Sequence, residues 1–125
     1  MPGPVVAGIL AVASAEDVLR HGFEAAGDRD VPLHVLVAGA AAVAGPADEV
    51  HQVIERWSEK YPTVPVTVTV HAGLDAAIVL AAATHDGGLL VMAETHGLRE
   101  DAIIRAIRRR VHCPLAVTRS RHPLP

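Results

Sequence analysis

Residues 88–119 constrain the fold of this chain more than any other stretch. They open with four apolar residues that show no polar alternation, Leu89, Leu90, Val91 and Met92. That is the pattern of a strand buried on both faces of a parallel sheet. A polar turn follows. Beyond Asp101 the residues Ile103, Ile104, Ile107 and Val111 fall on one stripe of a helix. The stretch closes on Cys113, Pro114 and a second apolar run. Strand, turn, helix and strand in this order predict a right-handed βαβ crossover. In open α/β sheets ligands sit beyond the carboxyl ends of the strands, so chemistry is expected near residues 93–101.

The rest of the chain repeats this alternation. Residues 4–10 and 31–37 read as further buried strands. Between them Ser14 is a candidate N-cap, with Glu16 and Asp17 in the first helical turn and Gly27 at the expected C′ position. Asp28 to Asp30 then reads as a polar turn. The Ala- and Gly-rich residues 39–45 read as a connection. Pro46 suits the first turn of a second helix, whose stripe is Val50, Val53, Ile54 and Trp57. Residues 64–71 alternate Val with Pro, Thr and His, which predicts an edge strand. Residues 74–84 read as a third helix. The predicted class is α/β: one domain over residues 1–119, an open parallel sheet with helices on both faces, and a loose tail at 120–125.

Composition narrows the function. The chain has 125 residues, half of them hydrophobic, which suffices for one real core. A net charge of -3 argues against a general nucleic-acid binder. No apolar run approaches the ~20 residues that span a bilayer, and the first residues lack a basic leader region. A cytoplasmic location is expected, with no membrane partner. A single cysteine, Cys113, allows neither an intrachain disulfide nor a cysteine-based zinc framework.

The chain resembles the universal stress protein family over nearly its whole length. The residues that carry the likeness are Val5-Val6-Ala7-Gly8, the helix at 15–26, Pro32-Leu33-His34-Val35, residues 88–92 and residues 111–117. The resemblance implies a five-stranded sheet in the order 3-2-1-4-5, of the adenine-nucleotide alpha hydrolase type. It also implies homodimers paired through the last strand, here Pro114, Leu115, Ala116, Val117 and Thr118.

Many members of that family bind ATP, through an Asp at the end of the first strand and a glycine-rich loop after the fourth. Glycines let backbone N–H groups close on phosphate oxygens, and a helix N-terminus adds positive potential. The positions in this chain that match the family's nucleotide site are Leu10, Ala11, Val37, Ala38, Ala93, Glu94, Thr95, His96, Gly97 and Asp101. Leu10 stands where the Asp belongs and cannot accept a hydrogen bond from a ligand. Thr95-His96-Gly97 is similar to the family's Thr-His-Gly, but the first loop glycine is replaced by Ala93 or Glu94. The later Gly-Ser falls on Asp101-Ala102, and the loop is several residues short. Glu94, Glu100 and Asp101 place carboxylates near where a triphosphate would lie, each costing on the order of 1 kcal/mol against a nearby phosphate charge. The expectation is a degenerate site and no cofactor.

Nothing else in the sequence reads as catalytic. No histidine pair has metal-ligand spacing; Glu94 with His96 is the nearest to a metal or acid–base pair. Arg105, Arg108, Arg109 and Arg110 fit the negative end of the last helix's dipole, or else an acidic partner or a phosphate. Cys113 reads as a small buried residue rather than a reactive thiol. The leading expectation is a non-enzymatic dimeric domain acting through protein contacts in stress response. It would work as a homodimer or beside an ATP-binding paralogue. The alternative is a binder of ATP, AMP or a cyclic nucleotide in the crevice between the first and fourth strands. Weak nucleotide hydrolysis is the least favoured reading.

Overall fold

The structure is a computed structural model. It describes residues 3–71, 80, 82–85, 87–93, 105–106, 108–109 and 113–118. The regular elements are β1 (Val5–Ile9), α1 (Ala15–Arg29), β2 (Leu33–Ala38), α2 (Pro46–Lys60), β3 (Val66–His71), β4 (Leu89–Ala93) and β5 (Leu115–Thr118). The five strands form one parallel sheet in the order β3-β2-β1-β4-β5. This is the expected order, and it puts the alternating Val/Thr strand at one edge and the last strand at the other. Of the third helix and the helix before β5, the described residues Leu80, Ala82, Ala83, Arg105, Ala106, Arg108 and Arg109 are helical. Thr84, expected to end the third helix, lies in a turn whose N–H still donates to the Leu80 carbonyl at 3.0 Å; the other residues expected in those helices, and the tail at 120–125, lie outside the described residues.

The central strands are buried on both faces because each face carries its own apolar layer. On the first face, Val5, Ala7 and Ile9 of β1 pack with Val18, Leu19, Phe23 and Ala26 of α1 and with Val50 and Ile54 of α2. On the second, Val6, Leu36, Leu90 and Met92 pack with Leu80, and Ala106, Cys113 and Leu115 lie against them. Gly8 of β1 is set by this layer. A Cβ there would lie 2.8 Å from Leu80 Cδ2, so the absence of a side chain lets the helix come down onto the sheet.

Two helix ends differ from the sequence reading. Ser14 does not cap α1 through its side chain; the hydroxyl turns back and donates to the Ala11 carbonyl at 2.8 Å. The chain there already winds in a 3-10 turn, Val12–Ser14, which leaves Ser14 in a helical conformation rather than the extended one a capping residue needs. At the other end α1 runs past Gly27 to Arg29, and the expected polar turn is its last turn. Asp30 takes the left-handed position (φ 55°), and its N–H meets the carbonyls of Ala26 and Gly27. A short polar side chain tolerates that conformation, so glycine is not required.

The aromatics join α1 to α2. Tyr61 stacks between Phe23 (centroids 5.6 Å apart) and Trp57 (6.4 Å). Trp57 Nε1 donates to Glu16 at 3.0 Å, Arg56 pairs with the same carboxylate, and the Lys60 ammonium sits over the Trp57 ring.

Candidate functional site

The chain reverses its direction of winding between β1 and β4. From β1 it moves outward through β2 to β3; from β4 it moves the other way to β5. A crevice beyond the carboxyl ends of two such neighbouring strands is where ligands bind in open α/β sheets. The register pairs Val5 with Leu89, Val6 with Leu90 and Ala7 with Val91. Leu10 and Ala11 therefore leave β1 beside the end of β4 at Ala93.

The floor of this region is apolar. Leu10 is half-buried, and its side chain lies against the second-face layer. Ala11, Val12 and Ala13 follow it. From β2 the chain continues through Val37 and Ala38 into a 3-10 turn, Gly39–Ala42, which is the structure adopted by part of the segment read as a connection. Gly39 has φ +61°, and a Cβ on it would lie 3.4 Å from the Leu10 carbonyl oxygen. The turn thus folds back onto the end of β1, where the Ala41 N–H donates to the Leu10 carbonyl at 3.1 Å. The next carbonyl, of Ala11, accepts from both the N–H and the hydroxyl of Ser14. The Leu10 and Ala11 carbonyls just beyond β1 therefore already accept hydrogen bonds from within the chain. No ionisable side chain projects from residues 8–13 or 37–44.

Of the positions matched to a nucleotide site, Leu10, Ala11, Val37, Ala38 and Ala93 are brought to this one end of the sheet. Glu94, Thr95, His96, Gly97 and Asp101 lie outside the described residues. Two features here were not legible in the sequence. One is the 3-10 turn, because an Ala/Gly run has no periodicity to read. The other is Thr118, which ends β5 beside Ala93. It is buried, and its Oγ1 has no hydrogen-bond partner among the described residues. An unpaired buried hydroxyl costs on the order of 1–3 kcal/mol.

Elsewhere among the described residues the titratable groups carry little chemistry. No group of three or more His, Cys, Asp or Glu side chains could hold a metal ion among the described residues. Burial pushes the Cys113 thiol above its ordinary value, which disfavours the thiolate that a nucleophile needs. On the second face of the β2–β3 edge, His34 Nε2 lies 3.0 Å from Thr69 Oγ1. Partial burial, and after it the neighbouring His71, holds the His34 imidazole below its usual value.

A universal stress protein solved with cAMP superposes with a TM-score of 0.66 over 97% of this chain and 100% of its own, at 13% identity. The chain has the universal stress protein fold. A universal stress protein from Archaeoglobus fulgidus in complex with dAMP gives a TM-score of 0.57 at 19% identity, covering 92% of this chain and 96% of that one. A further structure of a universal stress protein from the same organism gives 0.58 at 17%, covering 94% and 98%. No protein-family model matches the sequence, and no curated protein matches it. Among the described residues no helix is long and apolar enough to cross a membrane.

Proposed function

We propose that this chain is a non-enzymatic domain with the universal stress protein fold that has lost the ATP site of that family. It acts as a homodimer, through protein contacts in a stress response. The observation that carries this reading is the end of β1. Leu10 there presents a hydrocarbon side chain that lies against the sheet's own apolar layer, and the Leu10 and Ala11 carbonyls are taken by Ala41 and Ser14. Among the described residues a nucleotide docking at this end would meet no carboxylate, and the Leu10 and Ala11 carbonyls already accept hydrogen bonds from within the chain. Desolvating its polar edge without replacement hydrogen bonds would oppose binding. The dimer contact is assigned to β5, an edge strand whose outward backbone groups invite pairing with a second copy.

The test is a thermal-shift series with ATP, ADP, AMP, cyclic AMP and cyclic di-AMP, with and without magnesium. No shift is expected at roughly millimolar nucleotide. A saturable shift would overturn the lost-site reading, since a ligand at 100 times its Kd stabilises the folded state by about 2.7 kcal/mol. For the dimer, sedimentation should give twice the chain mass for the wild type and a monomer for Ala116→Pro. A monomeric wild type would refute the pairing.

A second reading has its own support. Structures that superpose over nearly the whole chain hold cAMP and dAMP, and the Thr118 hydroxyl, without a partner among the described residues, lies at the same end of the sheet. On this reading the crevice between β1 and β4 takes an adenine mononucleotide, and the monophosphates in the series give the shift while ATP does not.

A further inference from the structure

The surface charges sort by face. On the α1–α2 side every arginine and lysine is already engaged. Arg20 pairs with Asp17 and Arg56 with Glu16, Arg29 donates to the Gly88 carbonyl, and Lys60 sits over Trp57. That leaves an excess of exposed carboxylates. On α2, Asp48, Glu55 and Glu59 lie on one helical stripe with Gln52 between them, and all are exposed. None of the three is in an ion pair among the described residues.

On the opposite side the described residues carry the reverse. Arg105, Arg108 and Arg109 are helical and exposed, and none of them has a hydrogen bond or ion pair among the described residues. Ala106, in the same turn, packs toward the second-face layer. Since Leu80 and Ala106 belong to that layer while α1 and α2 cover the other, the arginines and the α2 carboxylates lie on opposite sides of the sheet. The α2 carboxylates are thus separated by the sheet from these three arginines of their own chain.

We infer that the arginine turn of one molecule docks on the acidic stripe of α2 of a second copy, head to tail. The spacings match. Arg105 and Arg109 are four residues apart, as are Glu55 and Glu59, so both pairs rise about 6 Å along their helices. Guanidinium groups suit this contact because each can hold a carboxylate through two parallel N–H donors. The contact joins two different patches, so it is heterologous. Repeated, it adds copies in a ring or an open chain, whereas the β5 contact of the proposed dimer is self-complementary and stops at two. Exposed ion pairs are screened by salt, and the screening length falls from about 30 Å at 0.01 M to about 8 Å at 0.15 M. Head-to-tail association should therefore depend steeply on salt, which pairing of β5 edges should not.

Sedimentation equilibrium of the full chain at about 0.01 M and about 0.15 M salt tests this. The expected result is a mass that rises with concentration at low salt, with an association constant at least about tenfold lower at high salt. The triple variant Arg105→Glu, Arg108→Glu, Arg109→Glu should lose the salt-sensitive association. So should the double variant Glu55→Lys, Glu59→Lys. An equimolar mixture of the two variants restores opposite charges across the contact and should recover it. A wild-type mass that does not depend on salt would overturn the inference, as would a mixture that stays unassociated while both variants keep the wild-type circular dichroism spectrum. A dimer that persists at high salt reports on β5 alone, so this inference and the proposed β5 dimer fail separately.

Discussion

The two faces of the sheet are built differently. The first is closed by two fully described helices, α1 and α2, which share a continuous apolar layer with an aromatic stack at its border. The second is closed near its centre by Leu80 over Gly8, Leu36, Leu90 and Met92. Toward the β3 edge it becomes polar, with His34, Thr67, Thr69 and His71 on the same side of β2 and β3. The lesson is one of division. Among the described residues the first face carries the larger apolar layer, while the second keeps a polar corner and arginines without an ion pair among those residues. Surface function is therefore expected on the second face and at the strand ends rather than across α1.

The largest effect should come from emptying the first face. Phe23 is fully buried and stacks on Tyr61. Phe23→Ala should cost about 3–5 kcal/mol, because it removes transfer energy and leaves a cavity. Thr69→Ala on the polar corner of the second face should cost about 1 kcal/mol, the net worth of one hydrogen bond. Urea denaturation of both variants checks the contrast. Equal losses would mean that the two faces share the load evenly.

A smaller effect tests how α1 is tied to α2. The Glu16 carboxylate receives Trp57 Nε1 and pairs with Arg56, but all of this is at the surface. Glu16→Ala should therefore cost only about 0.2–1 kcal/mol in the same denaturation assay, and less at high salt. A loss close to that of Phe23→Ala would show that the polar border, not the apolar layer, holds the first face together.

Much of this division could be read from the residues. Strands buried on both faces announce themselves as unbroken apolar runs, so β1, β2 and β4 were legible, while their order was implied by the resemblance to the universal stress protein family. Pro65 and the Val/Thr alternation marked β3 as an edge. Helix ends were less legible, because Ser14 and Gly27 have the right chemistry for caps while the actual ends depend on a preceding 3-10 turn and on Asp30 in the left-handed region. At the candidate site, Leu10 was readable as a missing acceptor. That its carbonyl would be claimed by Ala41 was not, since the claim depends on how residues 39–42 fold back. Nor does a linear sequence tell that His34 meets Thr69, which is set by the register between β2 and β3.

Protonation at that contact gives the smallest effect, and it belongs to the second face. Partial burial, and then the nearby His71, keep the His34 imidazole below its usual value in the folded chain. The unfolded chain then binds a proton more readily than the folded one, so stability rises with pH across this range. The contribution is fully present above the usual imidazole value of about 6.5 and is lost as pH falls through the lower folded value. Because His34 is only partly buried, the loss should be modest. His34→Gln keeps a hydrogen-bonding group beside Thr69 but cannot take up the proton. Thermal denaturation between about pH 7.5 and 5 should show the wild type losing more stability than this variant. Parallel pH profiles would mean that the polar corner tolerates a charged imidazole, and that the contrast between the two faces does not extend to protonation.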